Sequence, residues 1–249
     1  MSDDGLIIVG ASLAGAKAAE GARTQGWEGP IRLVGAEAHV PYERPPLSKG
    51  VLIGTDQPAT ALVHDEGFYV DGEIDLLLGV AATRIDLAER TVELHGQRRL
   101  RFSQLILATG SSPRRLGVAG AELPEVIYLR TLDDSLALRD RLLPARRLAV
   151  IGASWIGTEV AACARQRDCA VVMIDPLSTP LERVLGPEVG GYFAALHRGH
   201  GVDLRLGTGV DAIVGTDHVE GVRLSDGTTI DADVVVIGVG VTPNIELAR

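Results

Sequence analysis

Residues 6–20 read LIIVGASLAGAKAAE, and residues 148–162 read LAVIGASWIGTEVAA. Each copy opens on a short apolar run of β-forming residues, turns through Gly-Ala-Ser, and continues into an Ala-rich stretch that favours helix. The pattern is strand, tight turn, helix, and it occurs twice. Gly10 and Gly152 make the turn, and Gly15 and Gly157 let the helix lie close on its strand. The helix N-terminus then offers free N–H groups to a pyrophosphate. The middle position of the usual Gly-x-Gly-x-x-Gly pattern is Ser12 in one copy and Ser154 in the other, a small residue that still allows close backbone approach.

A dinucleotide-binding unit of this kind needs a second strand ending in an acid that reaches the ribose, some twenty residues on. Residues 31–37, IRLVGAE, and 171–175, VVMID, supply one for each copy, ending in Glu37 and Asp175. One glycine motif is readily explained as ordinary strand-to-helix packing, but two, each with strand and acid in register, are not. Asp175 has no arginine immediately beside it to receive a 2′-phosphate, so NADH is favoured over NADPH, with Arg183 further along tempering that preference.

Residues 92–110, VELHGQRRLRFSQLILATG, and 222–240, VRLSDGTTIDADVVVIGVG, form a second matching pair. Both read as a hairpin, a linker and an apolar strand ending in Gly, with turns at His95-Gly96-Gln97 and Asp226-Gly227. The fold expected is α/β: two Rossmann-like dinucleotide-binding units with central parallel sheets and β-hairpin or meander insertions. The units are expected over 1–111 and 112–240, with 241–249 starting a return into the first.

Composition bounds the function. At 249 residues, 46% hydrophobic and 23% charged, the chain has globular rather than disordered or collagen-like character. A net charge of −9 disfavours nucleic acid and anionic membranes as partners. The acidic start, MSDDG, and the lack of any apolar stretch of roughly 18 residues lead to a cytoplasmic reading. Cys163 and Cys169 fall in one expected helix and read as small buried apolar residues, matching neither a CxxC pair nor a disulfide framework. His197 and His200 could share a helical face, but no metal-ligating pattern is present and no metal is expected.

With these segments in place, the chain resembles the FAD-dependent, NADH-dependent ferredoxin reductases of bacterial cytochrome P450 and dioxygenase systems, within the glutathione-reductase-like flavoproteins. The resemblance rests on GASLAG at 10–15, PYERPPLSK at 41–49, LATG at 107–110, YLRTL at 128–132, IGASWIGTEVAA from Ile151, and GVGVTPN at 238–244. It implies that the first unit binds FAD and the second NADH. The positions it assigns to FAD are Gly10, Ser12, Leu13, Ala14, Gly15, Glu37, Arg44, Lys49, Ala82, Ala108, Thr109, Gly110 and Arg130. Relatives often carry Asp where this chain has Ala36, which leaves Glu37 as the neighbouring acid. For NADH they are Gly152, Ser154, Ile156, Gly157, Glu159, Asp175, Arg183 and Gly240.

The cofactors perform hydride transfer, and the protein's part is to stack them and adjust the electronics. The resemblance places Lys49 beside flavin N5, where an ammonium stabilises reduced anionic flavin, and pairs it with Glu159. The loop that carries a redox cysteine in peroxidase-like relatives reads Pro46-Leu-Ser-Lys49 here, so electrons are expected to leave the flavin directly, singly, to a ferredoxin-type iron–sulfur protein. Arg98, Arg99, Arg101, Arg114 and Arg115 read first as a solvated hairpin and crossover, and second as a docking patch for an acidic ferredoxin.

Family members continue for over a hundred residues beyond the position of Arg249. The expectation is therefore a fragment of a larger reductase with weak or no FAD retention and low reductase activity, whose NADH unit, about 112–240, folds and binds. The alternative is a truncated nucleotide-binding or redox-sensing module without turnover.

Overall fold

A computed structural model describes residues 4–249. The chain forms two compact units: residues 4–43 with Ala59–Ser112 and Pro243–Arg249, and Arg44–Pro58 with Pro113–Thr242.

The first unit contains β1 (Gly5–Val9), α1 (Leu13–Thr24), β2 (Ile31–Val34), β3 (Ile74–Leu77), β4 (Ala82–Asp86), β5 (Thr91–Leu94) and β6 (Arg99–Leu107). Its sheet runs β3-β2-β1-β6-β5-β4. β1 pairs parallel with β2 (Leu6 with Ile31) and with β6 (Leu6 with Gln104). β6 is long enough to serve twice: its first half pairs antiparallel with β5 (Val92 with Leu100), and its second half joins the parallel sheet. Side chains alternate along β1. Leu6 and Ile8 meet Ala16 and Ala19 of α1, whereas Ile7 and Val9 meet Val92, Leu94, Leu100 and Phe102 of the meander. Because both faces are covered, the strand reads as a continuous apolar run rather than an alternating one. Each such buried aliphatic side chain contributes roughly 1.5–3 kcal/mol.

The second unit repeats this design. Its elements are β7 (Val126–Ile127), α2 (Leu132–Arg141), β8 (Arg147–Ile151), α3 (Trp155–Gln166), β9 (Ala170–Asp175), α4 (Glu182–Gly199), β10 (Val202–Leu206), β11 (Val210–Val214), β12 (Gly221–Leu224), β13 (Thr229–Asp231) and β14 (Val234–Ile237). The parallel sheet runs β10-β9-β8-β14-β7, and β11-β12-β13 form a separate antiparallel meander. Leu148 and Val150 of β8 meet Val160, Ala161 and Ala164 of α3, while Ala149 and Ile151 meet Val222 and Leu224 of the meander. The sequence repeat is thus a repeat of three layers: helix, parallel sheet, meander. One difference is that the strand corresponding to β6 is broken here. β13 ends at Asp231 and β14 begins at Val234, and the intervening Asp233 accepts the backbone N–H of Arg147 at 2.9 Å and pairs with its guanidinium. That guanidinium holds the Asp233 carboxyl below its usual range.

Arg44–Pro58 belongs with the second unit, a departure from the continuous range 1–111. The chain order suggested continuity, but burial decides otherwise. Leu52 enters the core that holds Leu138 and Val160. Ser135 Oγ donates to the Leu47 carbonyl at 2.7 Å, and the Arg167 guanidinium donates to that of Ile53, also at 2.7 Å. The cysteine reading needs correcting in one respect: α3 ends at Gln166 and Asp168 turns through a positive φ of 60°, so Cys169 lies outside the helix, just before β9. Both thiols are free and buried.

Candidate nucleotide-binding sites

In the first unit the Gly10 turn joins β1 to α1 with a φ of +118°, and a Cβ on Gly10 would lie 2.0 Å from the Ala108 carbonyl oxygen. A Cβ on Gly15 would lie 1.8 Å from the Gly10 carbonyl. The ends of β1 and β6 and the first turn of α1 therefore meet with no room for a side chain. Ser12 is the N-cap residue, yet its hydroxyl makes no capping bond and donates instead to the Tyr42 carbonyl at 3.4 Å. Leu13 and Ala14 are exposed, and the first turn carries no acidic residue. The N-terminal N–H groups and the positive end of the helix dipole suit an anion, and nothing negative in that turn competes for them.

Glu37 follows β2 and accepts a hydrogen bond from the Tyr42 hydroxyl. Thr109 and Gly110 follow β6, while Ala82 opens β4 in the meander. Asn244 clamps the first two of these: its side-chain amide donates to the Thr109 carbonyl at 2.9 Å, its backbone N–H donates to Gly110 at 3.0 Å, and Thr109 Oγ1 donates to its carbonyl at 2.6 Å. The sequence reading gave Asn244 no role, although GVTPN was one of the segments it singled out.

In the second unit the same turn lines a cavity of about 390 Å³ walled by Gly152, Ser154, Asp175, Arg183 and Gly240. Gly152 has a φ of +103°, and a Cβ there would lie 2.5 Å from the Gly238 carbonyl oxygen. Ser154, unlike Ser12, caps its helix, accepting the Gly157 N–H at 3.3 Å. Asp175 is fixed by backbone donors on both oxygens, Ala153 N–H at 2.7 Å and Leu177 N–H at 2.8 Å. A carboxylate offers about four acceptor positions, so capacity remains for a ribose hydroxyl. Trp155, at the first position of α3, is half exposed on the cavity wall and meets Phe193 edge-on. The sequence reading assigned it no role.

Ile156 and Glu159 line a different cavity, of about 240 Å³, together with Arg44, Lys49 and Arg130. The positions expected for NADH thus divide between two cavities, and Gly157 is buried and lines neither. Lys49 Nζ stands 2.8 Å from Glu159 Oε1. Ser48, almost fully buried, donates its hydroxyl to the other carboxylate oxygen of Glu159. Cys163, one turn beyond Glu159, places Sγ 3.1 Å from the Ser48 carbonyl. Burial, with the Glu159 charge adding to it, pushes the Cys163 thiol up to about 12. The Arg44 guanidinium donates to the Arg130 carbonyl at 2.5 Å. Ser48 escaped the sequence reading because a serine beside a lysine carries no signal until the fold brings residue 159 to it.

Four of the five arginines read as a hairpin and crossover are engaged within the protein. Arg99 pairs with Glu93 at 2.6 Å, Arg101 with Asp4 at 3.2 Å, Arg114 donates to the Val241 carbonyl, and Arg115 lies over the Tyr128 ring at 4.3 Å. Among the described residues no helix is long and apolar enough to cross a membrane.

Two glycine turns, each delivering a helix N-terminus to the C-terminal edge of a parallel sheet, are the geometry of paired dinucleotide sites. Comparison with known proteins agrees. The chain is 41% identical over 244 residues to rhodocoxin reductase from Rhodococcus erythropolis, covering 98% of this chain and 57% of that protein. It is 40% identical over 241 residues to the ferredoxin–NAD(+) reductase component of the p-cumate 2,3-dioxygenase system from Pseudomonas putida, covering 97% and 59%. Its fold superposes on the reductase in a crystal structure of the covalent putidaredoxin reductase–putidaredoxin complex with a TM-score of 0.95 at 40% identity, covering 100% of this chain and 61% of that one. The chain spans about 60% of the length of these relatives. The family model for pyridine nucleotide-disulphide oxidoreductases matches from residue 4 to residue 249, and the chain belongs to that family.

Proposed function

We propose that this chain is the nucleotide-binding core of a cytoplasmic flavoprotein oxidoreductase that passes electrons from NADH, through FAD, to the ferredoxin-type iron–sulfur protein of a P450 or dioxygenase system. The observation that carries this reading is the Lys49–Glu159 ion pair, 2.8 Å long and oriented by Ser48, at a cavity that also holds Arg44 and Arg130. Dinucleotide binding alone has no need of such a pair.

FAD, when bound, supplies the chemistry that accepts a hydride and releases single electrons. In the first unit the turn from Gly10 through Ser12, Leu13, Ala14 and Gly15 holds the pyrophosphate on the N-terminus of α1, Glu37 reaches the ribose, and Ala82 and the segment Ala108, Thr109 and Gly110 line the approach. The Asn244 clamp fixes that segment. Arg44 and Arg130 add positive charge for the flavin nucleotide. With FAD bound, Lys49 would supply a positive charge favouring its reduced form, and Glu159 holds that ammonium in place.

In the second unit Gly152, Ser154 and Gly157 present α3 to the NADH pyrophosphate, Asp175 takes the ribose, and Ile156, Arg183 and Gly240 complete the site. Burial, which holds the Cys163 thiol up to about 12 and so protonated at neutral pH, supports a reading in which electrons would leave FAD without a thiol relay. Calorimetric titration of the protein with NADH is expected to show one equivalent bound. Protein that holds FAD stoichiometrically yet binds no NADH would overturn the reading.

A further inference from the structure

The turn between β9 and α4 is built around a single anionic oxygen. Glu182, the first residue of α4, directs Oε2 into the preceding turn, where four donors converge on it: Ser178 N–H at 3.1 Å, Ser178 Oγ at 2.6 Å, Thr179 N–H at 3.0 Å and Thr179 Oγ1 at 3.1 Å. Two backbone amides and two hydroxyls around one oxygen is how a protein turn binds a phosphate oxygen. Here a side chain of the protein occupies that place. The turn borders the dinucleotide cavity, because Thr179 and Glu182, together with Asp175, are part of its wall.

We infer that Glu182 makes the second unit reject a 2′-phosphorylated dinucleotide, by committing to its own carboxylate the donors that would otherwise bind the phosphate. The inference rests on the reading that this cavity takes NADH, and it adds a second determinant to Asp175. A ribose 2′-hydroxyl is neutral and can donate to Asp175. A 2′-phosphate is an acceptor carrying close to two negative charges, and it meets two carboxylates. The Ser178 and Thr179 donors are already taken, which leaves Arg183 as the basic side chain on the described wall. Hydrogen bonds led by that from Ser178, with those from Thr179 adding, hold the Glu182 carboxyl below its usual range, so its charge persists at neutral pH. The glutamate therefore acts on the ligand in two ways: by its negative charge, and by the hydrogen-bonding capacity it removes from the turn.

The test is the ratio of Kd for NADPH to Kd for NADH, measured calorimetrically on the whole chain as wild type, Glu182→Gln and Glu182→Ala. Wild type is expected to prefer NADH by about 100-fold, the scale of a like-charge clash. The ratio is expected to fall about tenfold or more in Glu182→Ala. In Glu182→Gln it falls by less, because the amide oxygen still accepts from Ser178 and Thr179 while the charge is gone. A purely structural role for Glu182 weakens both ligands together and leaves the ratio unchanged. An unchanged ratio in the variants, or a wild type that prefers NADPH, overturns the inference; if Glu182→Ala does not fold, Glu182→Gln decides. A wild type that binds neither ligand is a different failure, because it removes the NADH reading of the cavity and the inference with it.

Discussion

Gly157→Ala is expected to abolish NADH binding and to destabilise the second unit by roughly 3–5 kcal/mol, at the upper end of single-substitution effects. The added Cβ would sit 1.9 Å from the Gly152 carbonyl oxygen, 3.1 Å from its carbon and 3.2 Å from Val150 Cγ1. The nearest of these is backbone, and it belongs to a residue already committed to a φ of +103°, so no rotamer change relieves the clash. Relief requires α3 to move away from β8, which separates the Ser154 turn from the sheet edge that shapes the cavity. Gly191 is the internal control. It lies in α4, where an added Cβ would meet nothing within 4 Å, and Gly191→Ala is expected to be neutral or to stabilise by up to about 1 kcal/mol through helix propensity. Urea unfolding of the two variants, followed by NADH titration of each, checks both statements. Equal stability for Gly157→Ala and wild type would mean that the helix is not held against its strand as described.

Lys49→Met is expected to slow the reduction of bound FAD by NADH about 100-fold, the usual effect of removing one group aimed at developing charge. Methionine keeps most of the length and removes the ammonium that stands 2.8 Å from Glu159 Oε1. Glu159→Gln tests the other half of the pair. Its amide can still receive the Ser48 hydroxyl, but it no longer holds the ammonium electrostatically, so a slowing of about tenfold is expected, smaller than that of Lys49→Met. Anaerobic stopped-flow absorbance separates the rate from the affinity for NADH. If Lys49→Met reduced as fast as wild type, the pair would be an ordinary exposed ion pair, worth little to stability or chemistry.

The parts of this architecture that were legible in the sequence are local and periodic. The apolar run of β1 and the Gly10 turn are contiguous in the chain, as are their counterparts β8 and Gly152, and each strand is uniformly apolar because helix and meander cover its two faces. The Asp226-Gly227 turn was legible for the same reason, since a hairpin needs only its own residues. Features that depend on distant pairings were not. Ser48 meets Glu159 across 111 positions, and Asn244 meets Thr109 across 135, so neither contact leaves a local pattern. The segment Arg44–Pro58 has no helical or strand periodicity of its own, and its place in the second unit comes from the burial of Leu52 and from side chains at Ser135 and Arg167. Cys169 was misplaced for a smaller reason: α3 stops three residues short of it, at a turn that Asp168 makes with positive φ.

The most direct measurement is an anaerobic absorbance spectrum of the purified protein with added FAD, before and after NADH. With FAD in excess, because the chain alone is expected to hold it weakly, the predicted result is a visible flavin band that bleaches on adding NADH faster than free FAD does, which requires both nucleotide sites and the Lys49–Glu159 pair to work in one chain. Flavin that stays bound and oxidised under excess NADH would contradict the proposed reductase core and leave a nucleotide-binding protein without turnover.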